Sequence, residues 1–140
     1  MSTLDSLIRV HRWKLDEQRR QVAELERLAQ RLREEGERLD QELSSEQRVA
    51  ASSYEASLGY PSFARELIER RRKLAASAAE VDGRIAAARE ALAEAFTEVK
   101  RYEIAAANRA KRERTVSARK QAIAQDEVAL QIFRRRGAGG

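Results

Sequence analysis

Cysteine is absent from the 140 residues, and with it go disulfides, thiolate nucleophiles and every cysteine-based metal site. A single Pro and six Gly leave little to interrupt regular structure. Aromatics make up 5% of the chain, too few bulky side chains for a compact globule. His11 is the only imidazole, and no nucleophile elbow, phosphate loop or metal-ligand cluster occurs, so neither catalysis nor a cofactor is expected. No apolar run approaches the roughly 20 residues that cross a bilayer. Met1 to Val10 also lacks the basic-then-apolar order of a signal peptide, and the reading is a soluble or peripheral protein in a reducing cytoplasm. What the chain does contain is charge, at 36%, and hydrophobic residues, at 42%, chiefly Ala and Leu. That is the composition of long helices or a coiled coil, at a length that holds one domain.

The apolar residues repeat every seven positions. Ile8, Leu15, Val22, Ala29, Gly36, Leu43 and Ala50 share one position, and Leu4, Leu25, Leu32 and Leu39 the one three residues on, with His11 and Gln18 as polar exceptions. A 3.5-residue period held this long predicts a coiled-coil seam, and Ser2 with Asp5 matches a capping box at its start. The pattern breaks between Ser52 and Ser62, which holds the only Pro, one Gly and much Ser. It resumes along Leu67, Leu74, Val81, Ala88, Ala95, Tyr102, Val116, Ile123 and Leu130, with Arg109 intruding. The companion position carries Ala64, Arg71, Ala78, Ile85, Leu92, Val99 and Ala106, then turns to Glu113, Lys120 and Glu127. The expected fold is all-α, an antiparallel two-helix coiled-coil hairpin with a longer, overhanging second helix. Helix 1 is expected over about 3–56, the turn over about 57–61, helix 2 over about 62–135, and a flexible tail over 137–140. At 1.5 Å per residue, residue 3 should face a residue near 116, leaving about 117–136 uncovered.

Carboxylates on such helices are solvated and pair at i, i+4, as Glu66 with Arg70, rather than being tuned for acid–base work. His11 reads best as a polar seam residue that sets register. Charge is unevenly placed: residues 1–108 hold 19 Lys+Arg and 20 Asp+Glu, and 109–140 hold 9 and 3. The basic end suits nucleic acid, an anionic membrane or an acidic protein surface, or is simply solvated. Nucleic acid is disfavoured because no stacking aromatics are interleaved. A membrane anchor is disfavoured because Ile132 and Phe133 beside three Arg make too short a patch. A protein partner is favoured by the uncovered Val116, Ile123 and Leu130. Near the turn, Tyr54, Leu58, Tyr60, Phe63, Leu67 and Ile68 are either binding anchors or a plug for the hairpin end, and pattern alone does not choose. Trp13 and Phe96 fall outside the seam.

Three segments carry a resemblance: Ser6-Leu7-Ile8-Arg9-Val10-His11-Arg12-Trp13-Lys14-Leu15-Asp16-Glu17-Gln18-Arg19-Arg20; Tyr60-Pro61-Ser62-Phe63-Ala64 followed by Ile68-Glu69-Arg70-Arg71; and Ala91-Leu92-Ala93-Glu94-Ala95-Phe96 with Glu98, Lys100 and Glu103. In order, spacing and total length the chain resembles the FliJ family of the bacterial flagellar type III export apparatus, its alphaproteobacterial branch in particular. The resemblance implies a noncatalytic coiled coil similar to the central stalk of rotary ATPases. It would bind and regulate the hexameric export ATPase, link it to the cytoplasmic domain of the export gate protein and handle substrate chaperones. It also implies a cytoplasmic protein held peripherally at the inner membrane by the export apparatus, at the flagellar base, and so a role in motility. Family members place an aromatic and a leucine one turn apart after the tip for the gate contact; Phe63 and Leu67 match, with Tyr54 and Tyr60 as companions. The ATPase contact carries over onto Arg9, Arg12, Trp13, Arg112, Arg119 and Lys120. The alternatives are an equivalent stalk of a virulence type III system, a basic coiled-coil adaptor binding nucleic acid nonspecifically, or a structural coiled coil that homodimerises through Val116, Ile123 and Leu130.

Overall fold

The computed structural model describes residues 3–138, and all but one of these lie in two helices, α1 (Thr3–Ser52) and α2 (Tyr54–Ala138). The fold is all-α, two helices packed against each other as a hairpin. Ser2 of the expected capping box lies outside the described residues, as do Gly139 and Gly140 of the expected tail, whereas Gly137 and Ala138 continue α2.

The helix break falls at Ser53, ahead of the expected turn at 57–61. Ser53 Oγ accepts the Ala56 N–H at 3.0 Å, and its carbonyl accepts the Ser57 N–H at 3.2 Å, so Ser53 is the N-cap of α2. One residue earlier, the Ser52 hydroxyl donates to the Val49 carbonyl at 2.6 Å and closes the last turn of α1. Pro61 therefore lies inside α2 rather than at its first turn. With no N–H to give the Ser57 carbonyl, it weakens the helix there, a usual cause of a bend.

The chain forms two compact units, one of Trp13–Phe96 and one of Met1–Arg12 with Thr97–Gly140. In the first, Leu15, Val22, Ala29 and Leu39 of α1 and Leu67, Val81 and Ile85 of α2 are buried. Ala29, Val81 and Ile85 form a cluster covered by Leu25, Leu28 and Leu32. Arg89 reaches Glu26 at 2.9 Å and Arg71 reaches Asp40 at 2.9 Å, which fixes an antiparallel register centred within a few residues of 56. Arg71, at a seam position by pattern, is exposed. Its guanidinium passes over the buried Gly36, where a Cβ would come within 2.8 Å of Nη1. Along each helix, pairs such as Glu80 with Arg84 and the expected Glu66 with Arg70 add about 0.2–0.5 kcal/mol each.

In the second unit, Ile8 of α1 and Val99 of α2 are buried. Leu4, His11, Tyr102 and Ala106 beside them are half-buried. Every residue from Ala107 to Ala138 is exposed. The uncovered stretch therefore begins about ten residues before the expected 117, since folding back near 56 brings the start of α1 opposite residues around 110.

Candidate interaction surfaces

Each unit carries one surface built from residues that the sequence singles out. In the unit containing the N-terminal turns of α1, the Arg12 guanidinium donates to Glu103 Oε1 from Nη2 at 3.2 Å and from Nε at 3.4 Å. Lys100 Nζ approaches the other oxygen at 3.4 Å. The hydrogen bond from Arg12 is the main cause that holds the Glu103 carboxyl below its ordinary value, with Lys100 adding to it. His11 stacks on Tyr102 with ring centroids 4.6 Å apart and planes 24° apart. The seam therefore accepts the imidazole as a packing residue between the helices. Asp5, Ile8, Arg9 and Arg12 of α1 and Glu103 and Ala106 of α2 line a shallow groove beside this pair. Arg12 is thus tied to Glu103, an intramolecular partner that heptad reading cannot supply because the two residues are 91 positions apart.

Beyond the groove, α2 runs on alone within this unit. Arg109 pairs with Glu113 at 3.3 Å along the helix. Arg112, Arg119 and Lys120 stand exposed with no ion pair among the described residues. Between them Val116 and Ser117 complete an open surface with Lys120. The apolar stripe persists on the bare helix, with Val116, Ile123 and Leu130 each about half exposed or more. A single helix of this length gains no packing energy from the rest of the chain, and in water that makes it marginal on its own. Charge and apolar stripe together equip it for a partner.

In the other unit, the residues at the start of α2 separate into two kinds. Tyr54, at the first helical position, is 79% exposed, and Leu58 and Ile68 are exposed as well. Tyr60 and Phe63 are half-buried. Leu67 is 3% exposed and belongs to the seam. The accessible apolar surface is therefore carried by Tyr54, Leu58 and Ile68, with Tyr60 and Phe63 at its margin. Trp13, also of this unit, is 61% exposed on α1, outside the seam. A largely exposed indole on a helix flanked by Arg12 and Lys14 is a contact in search of a surface.

Among the described residues no cluster of carboxylates and imidazoles has the makings of a metal site, and no helix is long and apolar enough to cross a membrane. Among curated proteins and solved structures nothing matches the chain. The model of one family, described as flagellar FliJ protein, matches residues 1–138. With a match over nearly its whole length, the chain belongs to the FliJ family, a noncatalytic component of flagellar type III protein export.

Proposed function

We propose that the chain acts as a stalk of the export apparatus, binding and regulating the hexameric export ATPase through its termini and contacting the cytoplasmic domain of the export gate through the start of α2. The observation that carries this reading is the stretch from Ala107 to Ala138, helical, basic and covered by nothing in its own chain. Arg9, Arg12, Arg112, Arg119 and Lys120 are the cations offered to the ATPase. Arg12 must either keep Glu103 in the complex or exchange it for an acidic group of the ring. Trp13 is offered separately as an aromatic contact from the other unit. Tyr54, Tyr60 and Phe63 are offered to the gate, and Leu67, buried one turn after Phe63, holds that turn in the seam rather than meeting the partner. Substrate chaperones are further partners on the family's account, and association with the inner membrane is indirect, through the apparatus.

The test is the ATP hydrolysis rate of the cognate export ATPase with and without this protein, alongside ring assembly by sedimentation. Stimulation together with more ring is expected. No binding and no change in rate would remove the ATPase role. The gate contact is tested apart from it. Tyr54→Ala with Phe63→Ala should weaken binding to the gate domain by about tenfold or more, as truncation of aromatic anchors does. Unchanged affinity would return these residues to a plug.

A further inference from the structure

We infer that two free copies of this chain pair through the bare arm of α2, running antiparallel about a two-fold axis beside Ile123. The arm is a helix from Ala107 to Ala138 with every residue exposed, and beyond the Arg109–Glu113 pair near its start the stripe and its flanking charges stand open to solvent. Its apolar stripe, Val116, Ile123 and Leu130, is spaced evenly about Ile123. An antiparallel two-fold there sets Ile123 on its own copy and Val116 against Leu130, once on each side of the axis.

Charge selects the same partner and the same direction. On either side of Ile123 lie two doublets of opposite sign, Arg119-Lys120 and Asp126-Glu127. Reversing the second helix lays each doublet on the opposite one of the other copy. The next charges along the seam, Glu113 and Arg134, come within one residue of facing each other, because the heptad series Glu113, Lys120, Glu127, Arg134 alternates in sign and becomes its own complement when read backwards. Parallel pairing in register would stack every doublet on its like. Of the remaining arginines and lysines, Arg109 falls on the stripe opposite Gly137, Arg112 comes opposite Arg134 beside Glu113, and Lys111, Arg114, Arg135 and Arg136 sit off the stripe, where their mutual repulsion is screened within about 8 Å at physiological ionic strength. The dimer covers the face that the stalk reading gives to Arg119 and Lys120, so it is a form of the protein away from the apparatus, and it stands or falls independently of ATPase binding.

The experiment is sedimentation equilibrium of the full chain from about 10 to several hundred micromolar, the range in which so small an interface associates. The wild type should be a reversible dimer at the upper end. R119E/K120E alone and D126K/E127K alone should each be monomeric, because each sets like charges across the axis. An equimolar mixture of the two should dimerise again, since Arg119 and Lys120 then face only acids and Asp126 and Glu127 only bases, and the combined variant R119E/K120E/D126K/E127K should recover the homodimer. Since the substituted residues are exposed and lie beyond the part of the arm that meets the start of α1, these variants keep the helical fold, which far-UV circular dichroism checks. A wild type that stays monomeric over the whole range overturns the proposal. So do one-doublet variants that dimerise like the wild type, which would put the interface elsewhere, and a mixture that remains monomeric.

Discussion

At the scale of the residue, the seam is set by size as much as by hydrophobicity, and Gly36 is where this is plainest. It lies buried between Arg71 and Leu74, and a Cβ there would stand 2.8 Å from Arg71 Nη1 and 3.5 Å from Leu74 Cδ2. The atom that must yield first is the far end of a flexible side chain, and its two contacts with Asp40, at 2.9 and 3.0 Å, lie on the surface. A surface ion pair is worth at most about 1 kcal/mol, and replacing a mid-helix Gly by Ala returns a similar amount in backbone entropy and propensity. Gly36→Ala should therefore leave stability within about 0.5 kcal/mol of the wild type while freeing Arg71, whereas Gly36→Leu, which must also displace Leu74, should cost about 1–3 kcal/mol. Urea unfolding followed at 222 nm separates the two. A loss above about 1 kcal/mol for the Ala variant would mean that close approach of the helices, not the arginine, is what Gly36 serves.

At the scale of the element, the break at Ser53 shows how much one cap decides. Ser53→Ala removes the acceptor of the Ala56 N–H and should cost about 1 kcal/mol, and Ser53→Gly only a few tenths, because Gly is itself a tolerated N-cap. An Ala variant as stable as the wild type would mean that the hydroxyl contributes nothing. The positions of this cap and of the seam were unequally legible. Ile8, Leu15, Val22, Leu67, Val81, Ile85 and Val99 are buried where a 3.5-residue period puts them, because burial along a two-helix seam depends on spacing alone. The break is a different matter. Ser52, Ser53, Ser57 and Ser62 are equivalent by composition, and Pro61 reads naturally as a first-turn residue. Which serine caps is settled by a single hydrogen bond that no periodicity encodes. The same holds for the surfaces. That Arg112, Arg119 and Lys120 lie on a bare helix follows from where the companion stripe turns to Glu113, Lys120 and Glu127. That Arg12 is engaged by Glu103, and that Leu67 is enclosed while Tyr54 is open, depends on helix register to within a residue or two.

At the scale of the whole molecule, a net charge of +5 conceals a balanced body and a basic end, since residues 109–140 hold 9 Lys+Arg against 3 Asp+Glu. Such an asymmetry acts through the field it projects, speeding encounter with an acidic surface more than it deepens the final complex. The variant R112E/R119E/K120E reverses three exposed cations and takes the chain from +5 to −1 without touching a buried side chain, so its helicity and midpoint of unfolding should match the wild type. Its association rate with the export ATPase should fall at least about tenfold at low ionic strength, and the gap should narrow as salt is added, because steering is screened over a Debye length of about 8–10 Å. Dissociation should change less. Stopped-flow association, run below the micromolar range so that pairing between copies does not compete, reads both rates. If added salt leaves the ratio of the two association rates constant, these residues act by direct contact instead of through the field. If the variant associates as fast as the wild type, the charge on the arm serves only its hydration, and recognition must then lie with the half-exposed stripe of Val116, Ile123 and Leu130.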